Sequence, residues 1–210
     1  MINLLFADDH ILIREGLKKI LEPCQDITVV HECVNGNQVL EYVRENTIDV
    51  LVIDLSMPEK SGLEVIKILK VEKPELPILV LSIHLESQYA VRILRAGASG
   101  YITKEKASEE LISAIRAVAS GKRYISSSLG EQLYFELNDS EGQPLYKSLA
   151  VREFEVFLMI VNGKSLQGIS EELNVSCKTI STYKHRVYEK LHVNSEALLT
   201  RYALEMKLIE

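Results

Sequence analysis

The chain contains no tryptophan, 3 cysteines and 5 prolines among 210 residues, and no apolar run approaches the roughly 18 residues that a membrane-spanning helix needs. A helical membrane span is therefore not expected. Cys24, Cys33 and Cys177 are odd in number and have no metal-ligand spacing, so buried reduced thiols are expected in place of a disulfide framework or a zinc site. The opening residues Met1-Ile2-Asn3-Leu4 carry no basic segment ahead of an apolar stretch, so no secretory signal is expected and the cytoplasm is the expected address. What remains is 47% hydrophobic and 26% charged, the balance of a globular chain long enough for one large domain or two modest ones.

Net charge is −6, which by its sum argues against a polyanionic partner. The distribution reverses that reading. Lys plus Arg against Asp plus Glu stands at 14 to 18 over residues 1–122, 2 to 4 over 123–148 and 8 to 8 over 149–210. The acid excess lies upstream. Within the neutral tail, Lys178, Lys184, Arg186 and Lys190 crowd one stretch together with His185 and leave a local basic surface.

Over the first 122 residues, strand and helix patterns alternate five times. The runs Ile2 to Ala7, Val50 to Ile53 and Ile78 to Leu81 are short, rich in branched residues and nearly unbroken, as strands buried on both faces of a parallel sheet must be. Ile27 to Cys33 and Tyr101 to Thr103 supply two more. Helical spacing runs through Ile11 to Leu21, Gln38 to Glu45, Ser61 to Val71, Ser87 to Ala96 and Ser108 to Ser120, the last opened by Ser108 with Glu109 and Glu110. This predicts a doubly wound α/β domain with a five-stranded parallel sheet.

Each central strand ends on a distinctive polar residue: Asp8 and Asp9, Asp54, Ser82, and Lys104. In an open parallel sheet the carboxyl ends of the strands converge on one crevice, so these residues are predicted to meet. Three carboxylates that close repel one another, and an all-oxygen cluster of this kind suits a hard divalent cation such as Mg²⁺. Asp9 and Asp54 are the expected ligands, with Asp8 acting through water and the backbone carbonyl of Ser56 added. Such an ion would neutralise charge as a phosphoryl group approaches Asp54, the nucleophile. Lys104 and the Ser82 hydroxyl are placed to contact the new phosphoryl oxygens.

The text Leu5-Phe6-Ala7-Asp8-Asp9-His10, Asp54-Leu55-Ser56-Met57-Pro58 with Gly62, Leu79-Val80-Leu81-Ser82 and Gly97-Ala98-Ser99-Gly100-Tyr101-Ile102-Thr103-Lys104 resembles a CheY-like (flavodoxin-type) receiver domain of a two-component response regulator. The resemblance implies that Asp54 takes phosphate from a histidine kinase, that Ser82 moves toward it, and that Tyr101 is the aromatic residue whose rotamer reports the change. Ser56 and His84, two residues beyond Asp54 and Ser82, are placed to govern water access and phosphoryl lifetime. Many receivers carry Pro after the Lys, whereas Glu105 follows Lys104. That peptide is either a costly non-proline cis bond or part of a loop unlike the family norm.

Residues 123–148 read as a linker. Ser126-Ser127-Ser128 could cap a short helix carrying Leu129, Leu133 and Leu137, and Asn138 to Pro144 is a polar, breaker-rich loop. The tail, 149–210, shows four helical patterns: Val151 to Val161, Leu166 to Leu173, Cys177 to Leu191 and Ser195 to Met206. Asn162-Gly163 closes the first and Asn174-Val175-Ser176 makes a tight turn between the second and third. This is an all-α domain with a helix-turn-helix layout. Ile180, Val187 and Leu191 share one face of the third helix, and Lys178, Ser181, Thr182 and His185 share another of a kind that fits a DNA major groove.

Val151-Arg152-Glu153-Phe154-Glu155-Val156, Ile169-Ser170-Glu171-Glu172-Leu173, Thr179-Ile180-Ser181-Thr182-Tyr183 and Lys190-Leu191-His192-Val193 resemble the LuxR-type helix-turn-helix of NarL/FixJ-type regulators. The resemblance implies that Ser181, Thr182 and His185 face bases, with Lys178, Thr179, Tyr183 and Lys184 nearer the phosphates. Ser181 stands where Lys is common, and Ala150 replaces a capping Thr, a loss of about 1 kcal/mol unless Ser148 substitutes. The apolar residues of the last helix (Leu198, Leu199, Tyr202, Ala203, Met206) exceed what closing so small a domain requires and predict a homodimer on DNA.

The expected function is therefore that of a Mg²⁺-dependent, phosphorylation-switched transcription regulator, not an enzyme. Its expected partners are a cognate histidine kinase, double-stranded promoter DNA and RNA polymerase, with no membrane. Two alternatives stand beside it. One is a regulator that binds DNA regardless of phosphate. The other is a phosphohydrolase with Asp54 as covalent intermediate, against which Ser56 occupies the place where such enzymes favour a second acid.

Overall fold

Branched apolar runs become the strands β1 (Ile2–Ala7), β2 (Ile27–Cys33), β3 (Val50–Asp54), β4 (Ile78–Ser82) and β5 (Gly100–Thr103). All pair in parallel in the order β2-β1-β3-β4-β5. This computed structural model describes residues 1–84, 86–126, 129–130 and 144–209, the side chains of 87 and 88 excepted. The chain divides into two units, Met1–Phe135 and Glu136–Glu210.

In the first unit, helices α1 (Ile11–Leu21), α2 (Gly36–Glu45), α3 (Gly62–Glu72), α4 (Glu86–Arg95) and α5 (Ala107–Ala119) alternate with the strands. Leu4, Phe6, Val50, Val52, Leu79 and Leu81 pack with Leu17 of α1 and with Leu111 and Ile115 of α5 in one core. The intervening residues Leu5, Leu51, Ile53 and Val80 are equally buried, because successive side chains of a strand point to opposite faces. Both faces are thus dry, which is why β3 and β4 are buried at every position and read as continuous apolar runs.

β3 runs on to Asp54 and β4 to Ser82, one residue past their apolar segments, since the ladder pairs Asp54 with Leu81 and Ser82 with Thr103. After β3 the chain turns sharply into α3. Gly62 N–H donates to the Leu55 carbonyl at 3.0 Å, and a Cβ at Gly62 would stand 2.2 Å from the Asp54 carbonyl. Ser61 and Glu64 form a reciprocal capping box there.

The opening of α5 and the burial of the cysteines depart from expectation. α5 opens at Ala107 without a side-chain cap, because a 3₁₀ turn, Lys104–Lys106, leads straight into it and Ser108 already lies inside the first turn. Among the described residues no peptide bond is cis, so the Lys104–Glu105 bond is trans and lies within that turn. The cysteines are free, but only Cys33 is buried, Cys24 is half-buried and Cys177 is exposed. Cys177 opens a helix beside its Ser176 cap, with its thiol 3.1 Å from the Ser170 hydroxyl.

Ser126 caps the chain beyond α5, accepting from Leu129 N–H at 3.1 Å. The rest of the expected linker helix, with Leu133 and Leu137, and the loop residues 138–143 lie outside the described residues. In the second unit a 3₁₀ turn, Leu145–Ser148, precedes α6 (Val151–Val161), α7 (Leu166–Glu172), α8 (Cys177–Leu191) and α9 (Glu196–Glu205). Phe154, Phe157, Val156, Ile180, Val187, Leu199 and Ala203 form its core. Ser148 does not replace the missing cap at Ala150, since its hydroxyl donates to the Leu145 carbonyl. Glu153 instead accepts from Ala150 N–H at 2.8 Å, meeting one of the unpaired donors at that helix start.

Candidate phosphoacceptor site and nucleic-acid interface

β1 and β3 are neighbours, with Ala7 opposite Ile53, so the next residues, Asp8 and Asp54, leave the sheet side by side. Their burial is almost complete, at 0% and 2% exposure, while Asp9 turns outward. Oxygens of Asp8, Asp9 and Asp54 and an imidazole nitrogen of His10 all lie within 4.8 Å of one another. From the end of β5, Lys104 Nζ reaches in to 2.8 Å from Asp54 Oδ2 and 2.6 Å from Asp8 Oδ2. Asp8, Asp9, Asp54 and Lys104, expected to converge, do so.

One ammonium does not balance this cluster. Burial pushes the Asp54 carboxyl above its ordinary pKa and the Asp8 charge adds to the shift, against the pull of Lys104 and of the Ser56 N–H, which donates to Asp54 Oδ1 at 3.3 Å. For Lys104, burial favours loss of its proton, yet the two carboxylates outweigh that and hold its pKa above the ordinary value. Both shifts say that the pocket is short of positive charge. Asp8 Oδ2, though buried and close to Lys104, accepts no aligned hydrogen bond. An oxygen-rich pocket with three carboxylates around one ammonium fits a hard divalent cation.

On the β4 side, Ser82 is fully buried and its Oγ accepts from His84 N–H at 3.2 Å. Tyr101 is buried as well, and its hydroxyl donates to the His84 carbonyl at 2.8 Å. Burial holds the phenol well above its ordinary pKa. The His84 ring stacks on Tyr89, centroids 4.3 Å apart, and its Nε2 lies 3.4 Å from Ser56 Oγ. Ser56 and His84, picked out in the sequence as flanking the phosphoryl position, are thus in contact.

Two further residues belong to this site without having stood out in the sequence. His10 donates its backbone N–H to Asp8 Oδ1 at 2.8 Å and places Nδ1 3.0 Å from Asp8 and 2.8 Å from Asp9; its adjacency to two acids was the available signal. Arg14 donates to the Asp8 carbonyl at 2.7 Å while pairing with Glu32, and no spacing rule pointed to it.

In the second unit, the Ser176 hydroxyl caps α8, accepting from Thr179 N–H at 3.1 Å. Ile180, Val187 and Leu191 face the core, leaving Lys178, Ser181, Thr182 and His185 on the outer side of the helix together with Thr179, Tyr183 and Lys184, each exposed or half-exposed. The polar face therefore stands as the 3.6-residue period requires. Lys184, however, is not a free cation: its Nζ pairs with Glu196 at 2.6 Å and lies over the Tyr188 ring. His185 approaches Glu189 at 3.3 Å, and Thr182 donates back to the Lys178 carbonyl.

A parallel five-stranded sheet with an acid pocket at its carboxyl edge, followed by a helix-turn-helix unit, defines a signalling regulator of DNA. Family models agree: residues 4–116 match the response regulator receiver domain, and residues 147–203 match the bacterial regulatory proteins of the luxR family. The chain belongs to the two-component response regulators that carry a LuxR-type DNA-binding domain.

Among its relatives, the response regulator UvrY of Escherichia coli is 37% identical over 205 residues, covering 97% of this chain and 94% of that one. The response regulator GacA of Pseudomonas aeruginosa is 35% identical over 211 residues, covering 100% and 99%. RcsB from Salmonella enterica serovar Typhimurium, solved bound to promoter rprA in the presence of the phosphomimetic BeF3−, superposes with a TM-score of 0.65 at 30% identity, covering 96% of this chain and 98% of that one. No described helix is long and apolar enough to cross a membrane.

Proposed function

We propose that Asp54 is the phosphoacceptor of a cytoplasmic transcription regulator. Its parts are a receiver (1–122), a linker (123–148) and a DNA-binding domain (149–210). The observation that carries this is the buried triad of Asp8, Asp54 and Lys104, with Nζ 2.6 and 2.8 Å from the two carboxylates. An Asp54 carboxylate oxygen attacks the phosphorus of a phosphohistidine on the cognate kinase. The P–N bond breaks, its electrons and a proton go to the departing imidazole, and an acyl phosphate remains on Asp54. Asp9, Asp54, the Ser56 carbonyl and Asp8 through water would hold Mg²⁺, which supplies charge neutralisation to the incoming phosphoryl group. Lys104 and the Ser82 hydroxyl contact the new oxygens, and Tyr101 follows Ser82 through His84.

On the DNA side, Ser181, Thr182 and His185 face bases while Lys178, Thr179, Tyr183 and Lys184 contact phosphates. Homodimers span successive major grooves and act on RNA polymerase. Support comes from the exposed polar face of α8 and from the half-exposed Leu198, Tyr202 and Met206 at α9. The chain turns over no substrate of its own. Radiolabelled acetyl phosphate tests the assignment: Asp54→Asn should take up no label, and equal labelling of that variant would remove Asp54 from its role. One observation favours the second reading, DNA binding regardless of phosphate: Tyr101 is already turned inward without it. Promoter affinity unchanged by beryllium fluoride would select that reading.

A further inference from the structure

The loop that follows Asp54 holds an outlier. Glu59 has φ +64°, in the left-handed region that few residues other than glycine enter, and Lys60 N–H donates across it to the Pro58 carbonyl at 2.8 Å. A hydrogen bond from i+2 to i around a positive φ is the strained form of γ-turn. Such a conformation persists only where the surroundings over-determine it. Here the surroundings are two amides at the start of α2, one from its cap Asn35 and one from Asn37 in its first turn. Asn35 Nδ2 donates to Glu59 Oε1 at 3.0 Å and Asn37 Nδ2 to Oε2 at 2.6 Å, so both carboxylate oxygens are held. The backbones close in the same way, since a Cβ at Gly36 would stand 2.4 Å from the Lys60 carbonyl.

The geometry points to Glu59 as a positioning residue for phosphoryl transfer: clamped by Asn35 and Asn37, it fixes the Leu55–Ser61 loop and with it the Ser56 carbonyl offered to the divalent cation. This rests on the function proposed above. Glu59 touches neither metal nor phosphoryl group and acts through the loop. Without the clamp the turn relaxes and the carbonyl is no longer presented at a fixed place, so cation affinity falls while the carboxylates stay where they are.

Asn35 allows a discriminating test. Its Oδ1 also caps α2, accepting from Gln38 N–H at 2.9 Å, so Asn35→Asp keeps the cap, removes the donor to Glu59 and sets a second carboxylate against it. The added negative charge should by itself tighten Mg²⁺ binding, whereas the clamp predicts weakening. Outer-shell partners of metal ligands typically cost 10–100-fold in affinity. For a clamp one step further out, about three- to tenfold is expected. The double variant Asn35→Asp/Glu59→Gln restores both bonds with one donor reversed and leaves net charge unchanged, so it should return near wild type.

Measurements on the full chain are the Mg²⁺ dissociation constant by calorimetry and the Mg²⁺ dependence of phosphorylation by acetyl phosphate. The half-saturating concentration should shift in the single variant and recover in the double, with the saturating rate held. Wild-type affinity in Asn35→Asp, or no recovery in the double variant, overturns the clamp. A wild-type protein that takes no phosphate at any Mg²⁺ concentration overturns the function beneath it as well.

Discussion

Replacing Asp54 by Asn should stabilise the receiver, although it removes an ion pair. At an effective dielectric constant of about 20, Lys104 at 2.8 Å attracts the Asp54 charge by about 6 kcal/mol. Asp8 and Asp9, within 4.8 Å, each repel it by at least about 3.5 kcal/mol. The Coulomb contributions nearly cancel, and the desolvation of a carboxylate that is 2% exposed decides the sign at several kcal/mol against it. Asn keeps the shape, leaves Lys104 paired with Asp8, and should gain about 1–2 kcal/mol after local relaxation. With a urea slope of about 2 kcal/mol/M, hydrogen exchange of the Val50–Asp54 amides across a urea series should show a midpoint raised by about 0.5–1 M.

The gain should depend on pH. Because the folded Asp54 carboxyl sits above its ordinary 3.8, the native state keeps a proton that the unfolded chain has released, and stability falls as pH rises through that window. The gap between Asp54→Asn and wild type should therefore be absent below 3.8 and open above it. Saturating Mg²⁺ should narrow it by stabilising wild type alone. An Asp54→Asn variant that unfolds at lower urea than wild type at neutral pH without Mg²⁺ would refute the charge-deficit account of this pocket.

Gly62→Ala should cost about 2–3 kcal/mol by thermal unfolding, since its Cβ meets the Asp54 carbonyl at 2.2 Å and main chain must shift; unchanged stability would show that the turn is looser than its geometry. Lys178→Ala should weaken binding to any duplex and lower the salt slope by about 1, read by fluorescence anisotropy across a salt series, whereas His185→Ala should alter discrimination between sites by about 1–3 kcal/mol. Glu196→Gln frees the Lys184 ammonium from its 2.6 Å pair and should raise non-specific affinity and steepen the same slope by about 1. An identical slope would mean that Lys184 already leaves Glu196 on binding DNA.

The convergence of Asp8, Asp54 and Lys104 was legible because parallel strands place their carboxyl ends on one edge whatever the loops do. The polar face of α8 was legible for a similar reason, since a helix of 15 residues obeys its period over four turns. Partners set by loop shape were not legible. His10 and Glu59 sit in turns whose dihedrals no apolar pattern encodes, Arg14 reaches the Asp8 carbonyl from α1 with a long side chain whose direction no spacing rule gives, and Glu196 meets Lys184 across a turn, 12 residues away. Helix starts slipped by a residue or two for a related cause. Ser108 is a good cap by type, but the 3₁₀ turn from Lys104 already supplies carbonyl acceptors to N–H groups at the helix start, as the bond from Ala107 N–H to the Lys104 carbonyl shows.

The contacts around Ser82 show how a local charge would become a change of shape. In this structure the Ser82 hydroxyl oxygen accepts from His84 N–H, and the His84 carbonyl accepts from Tyr101. Two bonds on one residue therefore join the strand-end serine to the buried phenol. A phosphoryl group on Asp54 offers strong acceptors to the Ser82 hydroxyl, and turning toward them draws on the 82–84 backbone that anchors Tyr101. Ser82→Ala removes the bond between the Ser82 hydroxyl and the His84 N–H and should uncouple the Tyr101 environment from Asp54. In its tyrosine ring NMR signals the variant should respond to beryllium fluoride less than wild type, while still binding it through Lys104 and the acid cluster. An equal response would mean that the signal leaves the pocket by another route.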